Sequence, residues 1–214
     1  VRDDASVVDA AGAEQVRRDN PRMSSKPRVA LVTGSSRGLG RAIAERLARD
    51  GLAVAVNGIH REGGAGAVAE GIRRSGGAAE PFEGDVTDER EVDRLVAAVA
   101  EELGPIDVLV INATGPQPEA TVTEVSWEDH LAQLAFFVSS PVLLGRAVVP
   151  GMRERGWGRI VQIDSEVVDR IPSGRSAYVT AKSAQIGLTR SWARELAPFG
   201  ITVNTVAPGF VPVE

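Results

Sequence analysis

Short apolar runs alternate along the chain with longer segments in which apolar residues recur at helical spacing. The runs at 53–56 and 106–111 are almost wholly aliphatic, which is typical of strands buried on both faces of a sheet. Segment 89–103 instead places its valines and leucine on one helical face. The predicted strands are 29–33, 53–56, 79–83, 106–111, 159–163 and 202–206. The predicted helices are 40–50, 65–75, 89–103, 127–152 and 177–196, the fourth bent near Pro141.

This alternation predicts an α/β fold in a single domain, residues 28–214. Strands joined by helical crossovers form a parallel sheet with helices on both faces, and each crossover is right-handed. We therefore expect a Rossmann-type, doubly wound architecture of three layers, with the strand order 3-2-1-4-5-6. The sequence contains no internal repeat and no sign of a second domain.

Residues 1–27 differ from the rest because they are polar, carry mixed charges and show no sustained period. We expect them to form a disordered or loosely helical extension. The chain starts with valine, and Met23 stands just before the first strand. One hypothesis is that Met23 is the natural start and that residues 1–22 are upstream or expression-derived sequence. An intact mass from the native source that includes residues 1–22 would contradict it.

Composition argues against several classes of function. The net charge of −5 provides no basic surface for nucleic acid. There is no cysteine, and the two histidines are far apart, so neither thiol catalysis nor a metal site is expected. No uninterrupted apolar run reaches the roughly 18 residues of a membrane span, and no signal peptide is recognisable. We expect a cytoplasmic protein without a membrane partner. Only Lys26 and Lys182 are lysines among 24 basic residues.

A glycine-rich segment, Thr33-Gly-Ser-Ser-Arg-Gly-Leu-Gly40, stands between the first strand and the first helix. Its glycines permit a tight turn and a close approach of the backbone, and the following helix points its free N–H groups at a pyrophosphate. A plain structural turn is the alternative. The residues expected to contact a dinucleotide here are Gly34, Ser36, Arg37, Gly38, Leu39 and Gly40.

This segment resembles the cofactor turn of the short-chain dehydrogenase/reductases, in which a threonine–glycine start is followed by glycines at this spacing. The resemblance runs from Arg28 to Phe210 and is strongest to the 3-oxoacyl-carrier-protein reductases. It implies a nicotinamide dinucleotide and an oxidoreductase activity. Further cofactor contacts implied by the resemblance are Asp85 and Val86 near the adenine, Asn112, Ala113 and Gly115 after the fourth strand, and Pro208 and Gly209 beside the nicotinamide.

The end of the second strand bears on the choice between NAD and NADP(H). An acidic residue there would hold the ribose 2′-hydroxyl of NAD and repel a 2′-phosphate. The segment after Val56 begins with Asn57 and has no carboxylate before Glu62, while Arg37 and Arg61 can pair with a 2′-phosphate. Two solvent-facing arginines are the alternative. We predict NADP(H) as the cofactor, with Asn57 and Arg61 among its contacts.

Tyr178, the only tyrosine, precedes Lys182 by one helical turn, so both side chains share a helix face. An ammonium beside a phenol favours the phenolate, and we expect Lys182 to lower the pKa of Tyr178. An ordinary exposed pair is the alternative. Ser165 follows the fifth strand, at the sheet edge where α/β proteins bind ligands. The resemblance implies that Ser165 binds the substrate oxygen, Tyr178 transfers the proton and Lys182 binds the nicotinamide ribose.

One family residue is missing. The asparagine that links the lysine to a proton-relay water in the family falls on Phe137 when counted back from Pro150, and on Leu134 when counted forward from Trp127. Neither side chain can play the asparagine's role.

Carboxylates flank the catalytic serine, because Asp164 precedes Ser165 and Glu166 follows it. We expect these carboxylates to face solvent, and binding of a cationic substrate is the alternative. If Asp164 is buried, its charge raises the pKa of Tyr178.

Three functions remain open at this point. The first is an NADPH-dependent reductase, or the reverse dehydrogenase, acting on a 3-oxoacyl thioester or a related ketone. The second is a reductase or dehydrogenase of a small secondary metabolite or sugar. The third is a non-catalytic NADP(H) sensor, which the missing asparagine favours and the intact catalytic residues oppose. The resemblance also implies a homodimer or homotetramer, and a chain that lacks the family's C-terminal loop, helix and last strand.

Overall fold

The computed structural model describes residues 27–211, except for the side chains of residues 62 and 63. The extension predicted for residues 1–27, apart from Pro27, lies outside the described residues, and so does the hypothesis on Met23.

A six-stranded parallel sheet forms the middle layer of the described domain. Its strands are β1 Val29–Val32, β2 Ala53–Gly58, β3 Ala78–Glu83, β4 Ile106–Ile111, β5 Gly158–Ile163 and β6 Ile201–Val206. They lie in the order β3-β2-β1-β4-β5-β6, which confirms the prediction. At the centre, Leu31 pairs with Ala55 of β2 and with Leu109 of β4. Every residue of β1 and β2 is buried because helices cover both faces.

The helices form the two outer layers. They are α1 Gly38–Arg49, α2 Gly66–Arg74, α3 Glu89–Glu102, α4 Trp127–Leu134, α5 Ser140–Arg155, α6 Val167–Arg170 and α7 Ser176–Leu196. One core cluster packs Leu95 of α3, Leu144 of α5 and Leu196 of α7 beneath the sheet. The opposite cluster contains Ala44 of α1 and Ile72 of α2. The fold is therefore the doubly wound α/β arrangement that the sequence predicts.

The long helix predicted for 127–152 is two helices joined by a wider, π-helical turn. Ser126 begins α4 with a capping box, since its hydroxyl accepts from the Asp129 backbone N–H while the Asp129 carboxylate accepts from the Ser126 N–H. The π-helical turn Ala135–Ser139 follows, and α5 begins at Ser140 with Pro141 in its first turn. The irregularity thus lies just before Pro141, and it carries Phe137, which is 3% exposed.

The helical stretch Trp127–Arg155 is, among the described residues, long and apolar enough to cross a bilayer by length and composition alone. The position of this stretch in the fold gives another reason for its apolar composition. Phe137, Leu144, Val148 and Met152 form a buried face, three of them within the core beneath the sheet. The apolar composition of this stretch is thus the composition of a helix that packs on a sheet.

The carboxyl ends of the strands define where a ligand would bind. The chain leaves β3 for β4 on the other side of β1, so the loops after β1 and β4 diverge at this edge of the sheet. A crevice at such a switch point is where open α/β sheets bind ligands. The glycine-rich turn follows β1, and Asn112 follows β4, so both lie at this edge.

Candidate active site

The turn between β1 and α1 leaves no room for side chains at two of its glycines. Gly34 has a φ of +60°, and a Cβ there would lie 2.7 Å from the Ala113 Cα. A Cβ on Gly40 would overlap the Gly34 carbonyl oxygen and lie 2.5 Å from Asn112 Nδ2. No side chain therefore covers the backbone at Gly34 and Gly40, at the N-terminus of α1. There the helix dipole and the free N–H groups attract a phosphate. These features fit the pyrophosphate of a dinucleotide.

Side chains from β4 hold this turn in place. Thr33 Oγ1 accepts hydrogen bonds from the backbone N–H groups of Asn112, at 2.9 Å, and Ala113, at 3.0 Å. Asn112 Nδ2 returns two bonds, to the carbonyl oxygens of Thr33 and Gly34. Asn112 thus acts through the turn's backbone, which explains why an amide follows β4.

Asn57, expected to contact the cofactor, is 2% exposed and already hydrogen-bonded at both ends of its amide. Its Oδ1 accepts from the Gly34 N–H at 3.2 Å, and its Nδ2 donates to the Gly84 carbonyl at 3.1 Å. Its backbone N–H donates to Ser35 Oγ at 3.0 Å. In this structure Asn57 ties the glycine turn to the ends of β2 and β3, and direct contact with a cofactor remains a prediction.

The two arginines expected at a 2′-phosphate differ in their surroundings. Arg37 is exposed immediately before α1, and within residues 27–211 no carboxylate pairs with it. Arg61 forms an ion pair with Glu102, with Nη2 to Oε2 at 3.2 Å, and its guanidinium lies over the Phe82 ring. Arg37 is therefore the arginine whose charge is uncompensated beside the glycine turn.

The predicted adenine contacts follow β3. Asp85 Oδ1 accepts from both the backbone N–H and the hydroxyl of Thr87, at 2.8 and 2.7 Å. This turn fixes the half-buried Asp85 carboxylate at the sheet edge, and Val86 beside it is buried at 3% exposure. The arrangement leaves Asp85 Oδ2 as the acceptor available to a ligand's amine.

Ser165 and Tyr178 come together at the end of β5. Their side chains lie close enough that the Ser165 hydroxyl lowers the pKa of Tyr178 as a hydrogen-bonding group, and Gln117, from the loop after β4, acts on that pKa in the same way. The backbone N–H of Glu166 donates to the Pro208 carbonyl at 3.2 Å, which brings the predicted nicotinamide turn beside the serine. Two hydroxyls thus converge at the same sheet edge as the glycine turn, where they can bind and protonate a carbonyl oxygen.

The expectation that Lys182 lowers the pKa of Tyr178 is wrong. Burial raises the pKa of Tyr178, and the Asp164 charge raises it further, against the hydrogen bonds and the Arg175 charge. The reason is geometric. The Lys182 ammonium lies 5.9 Å from the centroid of the Tyr178 ring and donates its hydrogen bonds to other groups. Tyr178 is therefore protonated at neutral pH, the state that a proton donor needs.

Lys182 is buried between α7, β5 and the helix opposite. Its Nζ donates to the Ile163 carbonyl at 2.6 Å and to Gln185 Oε1 at 3.0 Å. It also lies 3.9 Å from the centroid of the Phe137 ring. Burial lowers the pKa of Lys182 to about 8, and the Asp164 charge opposes the fall. Of the two positions considered for the family's asparagine, Phe137 is the one in contact with the lysine.

Asp164 does not face solvent, contrary to expectation. It is 4% exposed, and among the described residues its Oδ1 has no hydrogen-bond partner. Burial raises the pKa of the Asp164 carboxyl, while the Lys182 charge opposes the rise. The cause is its place at the end of β5, where its backbone N–H extends the pairing with Val206 of β6. Glu166 is partly exposed and paired with Arg170.

Comparison with known proteins agrees with this geometry. The model of the short chain dehydrogenase family matches residues 28–214. The chain belongs to the short-chain dehydrogenase family. Nodulation protein G of Azospirillum brasilense is 39% identical over 191 residues, which cover 88% of this chain and 76% of that protein. The 3-oxoacyl-(acyl-carrier-protein) reductase of Vibrio cholerae is 37% identical over 194 residues, covering 90% and 77%. The enzyme of that name from Staphylococcus aureus is 39% identical over 184 residues, covering 85% and 74%.

Several site residues of this short-chain dehydrogenase gave no recognisable signal in the sequence. Gln117 and Arg175 act on Tyr178 from loops, and Arg175 also donates to the Gln117 carbonyl at 3.0 Å. Gln185 was missed as well, although its spacing of three residues from Lys182 places it on the same face of α7. Its place one turn after Lys182 and one turn before Thr189, in a row of polar residues at helical spacing, is the signal that would have found it.

Replacing Asp164 by asparagine is expected to lower the pKa of Tyr178, because it removes a negative charge that disfavours the phenolate. Since Tyr178 is the only tyrosine, the near-ultraviolet absorbance of the phenolate during a pH titration reports its ionisation alone. A pKa that does not fall would contradict the assigned coupling.

The same substitution is expected to stabilise the fold at neutral pH. A buried carboxyl with a raised pKa contributes stability below its unfolded pKa and loses it as pH rises through the folded one. Asp164→Asn should therefore raise Tm by several degrees at neutral pH, at roughly 2–4 °C per kcal/mol for a domain of this size. The advantage should shrink as the pH falls. Equal Tm values at neutral pH would refute the stability prediction.

Proposed function

We propose that this short-chain dehydrogenase is an NADPH-dependent reductase of a 3-oxoacyl thioester or a closely related ketone. The observation that carries the proposal is the proximity of the Ser165 and Tyr178 side chains at the same sheet edge as the glycine turn. The Tyr178 phenol is protonated at neutral pH, which is the state from which it can give a proton to a ketone oxygen.

Each residue has a role in this proposal. The Ser165 hydroxyl donates a hydrogen bond to the ketone oxygen and holds it beside Tyr178. The Tyr178 hydroxyl gives its proton to that oxygen as negative charge develops there. The chemistry supplied by a bound NADPH is hydride donation to the carbonyl carbon. The Asp164 charge disfavours the Tyr178 phenolate.

The chain's residues fit the cofactor in this proposal. The bare backbone from Gly34 to Gly40 would hold the pyrophosphate, and Arg37 the 2′-phosphate. Asp85 and Val86 would contact the adenine, and Lys182 the nicotinamide ribose. The turn Pro208–Gly209 would lie beside the nicotinamide, next to Glu166.

Arg37→Ala is expected to weaken NADPH binding by roughly 10- to 100-fold, the worth of hydrogen bonds to a charged group. NADH affinity should not change, because NADH lacks the 2′-phosphate. Arg61→Ala serves as the comparison and should have a smaller effect, since Arg61 already pairs with Glu102. Fluorescence titration with both nucleotides measures the four affinities. Equal losses for NADPH and NADH would show that Arg37 does not select between them.

The substrate class rests on the relatives, whose names specify 3-oxoacyl-(acyl-carrier-protein) reduction. A groove of about 250 Å³ opens beside Tyr178's partner Gln117, lined in part by Pro116, Pro118 and Phe136. Ala132, Asp129 and Gln133 complete the lining, and its apolar part suits an acyl chain. Consumption of NADPH with a panel of 3-oxoacyl thioesters, small cyclic ketones and keto sugars tests the assignment. A preference for the sugars would favour the second function instead.

Phe137 specifically favours one other function, an NADP(H) sensor without turnover. Its ring lies against the Lys182 ammonium at one of the two positions where the family resemblance implies the asparagine of a water relay. The sensor does not need the neighbouring hydroxyls of Ser165 and Tyr178, which is why we prefer the reductase. We further propose a cytoplasmic homodimer or homotetramer with no nucleic-acid or membrane partner, assembled through the exposed sides of the long helices that include Trp127 and Leu131.

A further inference from the structure

A polar stripe is buried along one face of α7. Lys182, Gln185 and Thr189 are three and four residues apart, and each is at most 5% exposed. Burying such groups costs free energy unless hydrogen bonds compensate. Thr189 is satisfied locally, because its hydroxyl donates to the Gln185 carbonyl at 3.0 Å. The Gln185 side chain has a different partner, the ammonium of Lys182.

Three groups contact the ammonium of Lys182. One N–H donates to the Ile163 carbonyl at 2.6 Å and another to Gln185 Oε1 at 3.0 Å. The Phe137 ring lies on the remaining side, with its centroid 3.9 Å from Nζ, within the range of a cation–π contact. Gln185 is therefore the only side chain among residues 27–211 that accepts a hydrogen bond from this lysine.

Phe137 also packs edge-on against Tyr178, with ring centroids 5.5 Å apart. One aromatic ring thus covers both catalytic side chains from the π-helical turn of the opposite helix. A ring in this position excludes water from the side of the ammonium that it covers. Support for the lysine must then come from α7 or β5.

We propose that Gln185 is the positioning residue of Lys182 in this chain, and that it takes the role that the family resemblance gives to an asparagine at the position of Phe137. The importance of Lys182 to turnover rests on the proposed function. The hydrogen bond itself is testable without any substrate.

The charged and titratable groups facing Lys182 are few. Asp164 acts on it from the end of β5, and Tyr178 stands one turn earlier on α7. The helix opposite presents Phe137, which does not titrate. A substitution at position 185 therefore changes one neighbour of Lys182, while Asp164, Tyr178 and Phe137 stay as they are.

The chain offers an unusually direct measurement, because Lys26→Arg leaves Lys182 as the only lysine. Lysine labelled with carbon-13 at Cε then gives one NMR signal that reports the pKa of Lys182. Gln185→Met removes the acceptor at similar volume and should lower that pKa from about 8 by roughly one pH unit. Gln185→Glu places a carboxylate against the ammonium and should raise it. The exposed neighbour Ser183→Ala is the control and should leave it unchanged.

Opposite shifts in the two Gln185 variants would support the proposal, since a merely structural role predicts none. The same Lys182 pKa in wild type and both variants would overturn it. If Gln185→Met does not fold, Gln185→Glu decides alone by whether the pKa rises. This titration is independent of turnover, so a wild-type chain that reduces no ketone would contradict the proposed function and leave the assignment of Gln185 standing.

A rescue experiment tests whether an amide at position 137 can replace Gln185 as the support of Lys182. Gln185→Met should reduce kcat about tenfold or more, the worth of a hydrogen bond to a charged group. Adding Phe137→Asn returns an amide to the opposite helix and should recover part of that loss. A double variant no more active than Gln185→Met alone would contradict the exchange of roles between positions 137 and 185.

Discussion

Replacing Tyr178 by phenylalanine is expected to reduce NADPH-dependent ketone reduction by roughly 10²- to 10⁴-fold, the usual contribution of a positioned proton donor. The ring contact with Phe137 survives the change, because only the hydroxyl is removed. NADPH affinity should therefore stay close to that of the wild type. Steady-state kinetics at saturating NADPH, together with fluorescence titration of the nucleotide, measures both quantities.

The matched control for Tyr178→Phe is Thr180→Ala, two residues along the same helix at an exposed position. It should change neither kcat nor NADPH affinity. Tyr178→Phe with wild-type kcat would remove Tyr178 from the mechanism. A loss of NADPH binding equal to the loss of turnover would instead give Tyr178 a role in holding the cofactor.

Gly40→Ala is expected to weaken NADPH binding by about 100-fold or more, equivalent to roughly 2.8 kcal/mol. The added methyl group would overlap the Gly34 carbonyl oxygen and lie 2.9 Å from the Ser35 Cα. These are backbone atoms that cannot rotate away, so the turn must open where the pyrophosphate would bind. Isothermal titration with NADPH measures the loss.

Gly71→Ala controls for the general effect of adding a methyl group to a helical glycine. A Cβ at Gly71 of α2 meets no atom within 4 Å, and alanine is favoured over glycine in a helix by roughly 1 kcal/mol. This variant should bind NADPH as the wild type does and unfold at a slightly higher temperature. A folded Gly40→Ala protein with wild-type NADPH affinity would contradict the assignment of the turn.

Much of the fold was predictable because its signals are local. The run Ile106–Ile111, aliphatic apart from Asp107, has the length and β-branched content of a buried strand, and the spacing of apolar residues in Glu89–Glu102 indicates a helical face. The strand order followed from the alternation of strands and helices with right-handed crossovers. The π-helical turn Ala135–Ser139 was not predictable, because the sequence around it keeps an ordinary helical character.

The candidate site was predictable as a set of residues but not as an electrostatic environment. The positions of Ser165 and Tyr178 followed from their spacing and from the family resemblance. The burial of Asp164 and the direction of the Lys182 ammonium depend on packing between elements that are distant in sequence. Residue type and spacing therefore gave wrong predictions for the exposure of Asp164 and for the effect of Lys182 on Tyr178. The pairing of Arg61 with Glu102, 41 residues away, has the same origin.

The measurement that tests the central claim most directly is hydride transfer by the wild-type chain. NADPH deuterated at both C4 positions of the nicotinamide is incubated with a 3-oxoacyl thioester, and the product is examined by mass spectrometry. We predict a 3-hydroxyacyl thioester carrying deuterium at C3, and almost none of it with Tyr178→Phe. Tight NADPH binding without any deuterated product from the thioester or the other ketones would contradict the reductase and favour the sensor.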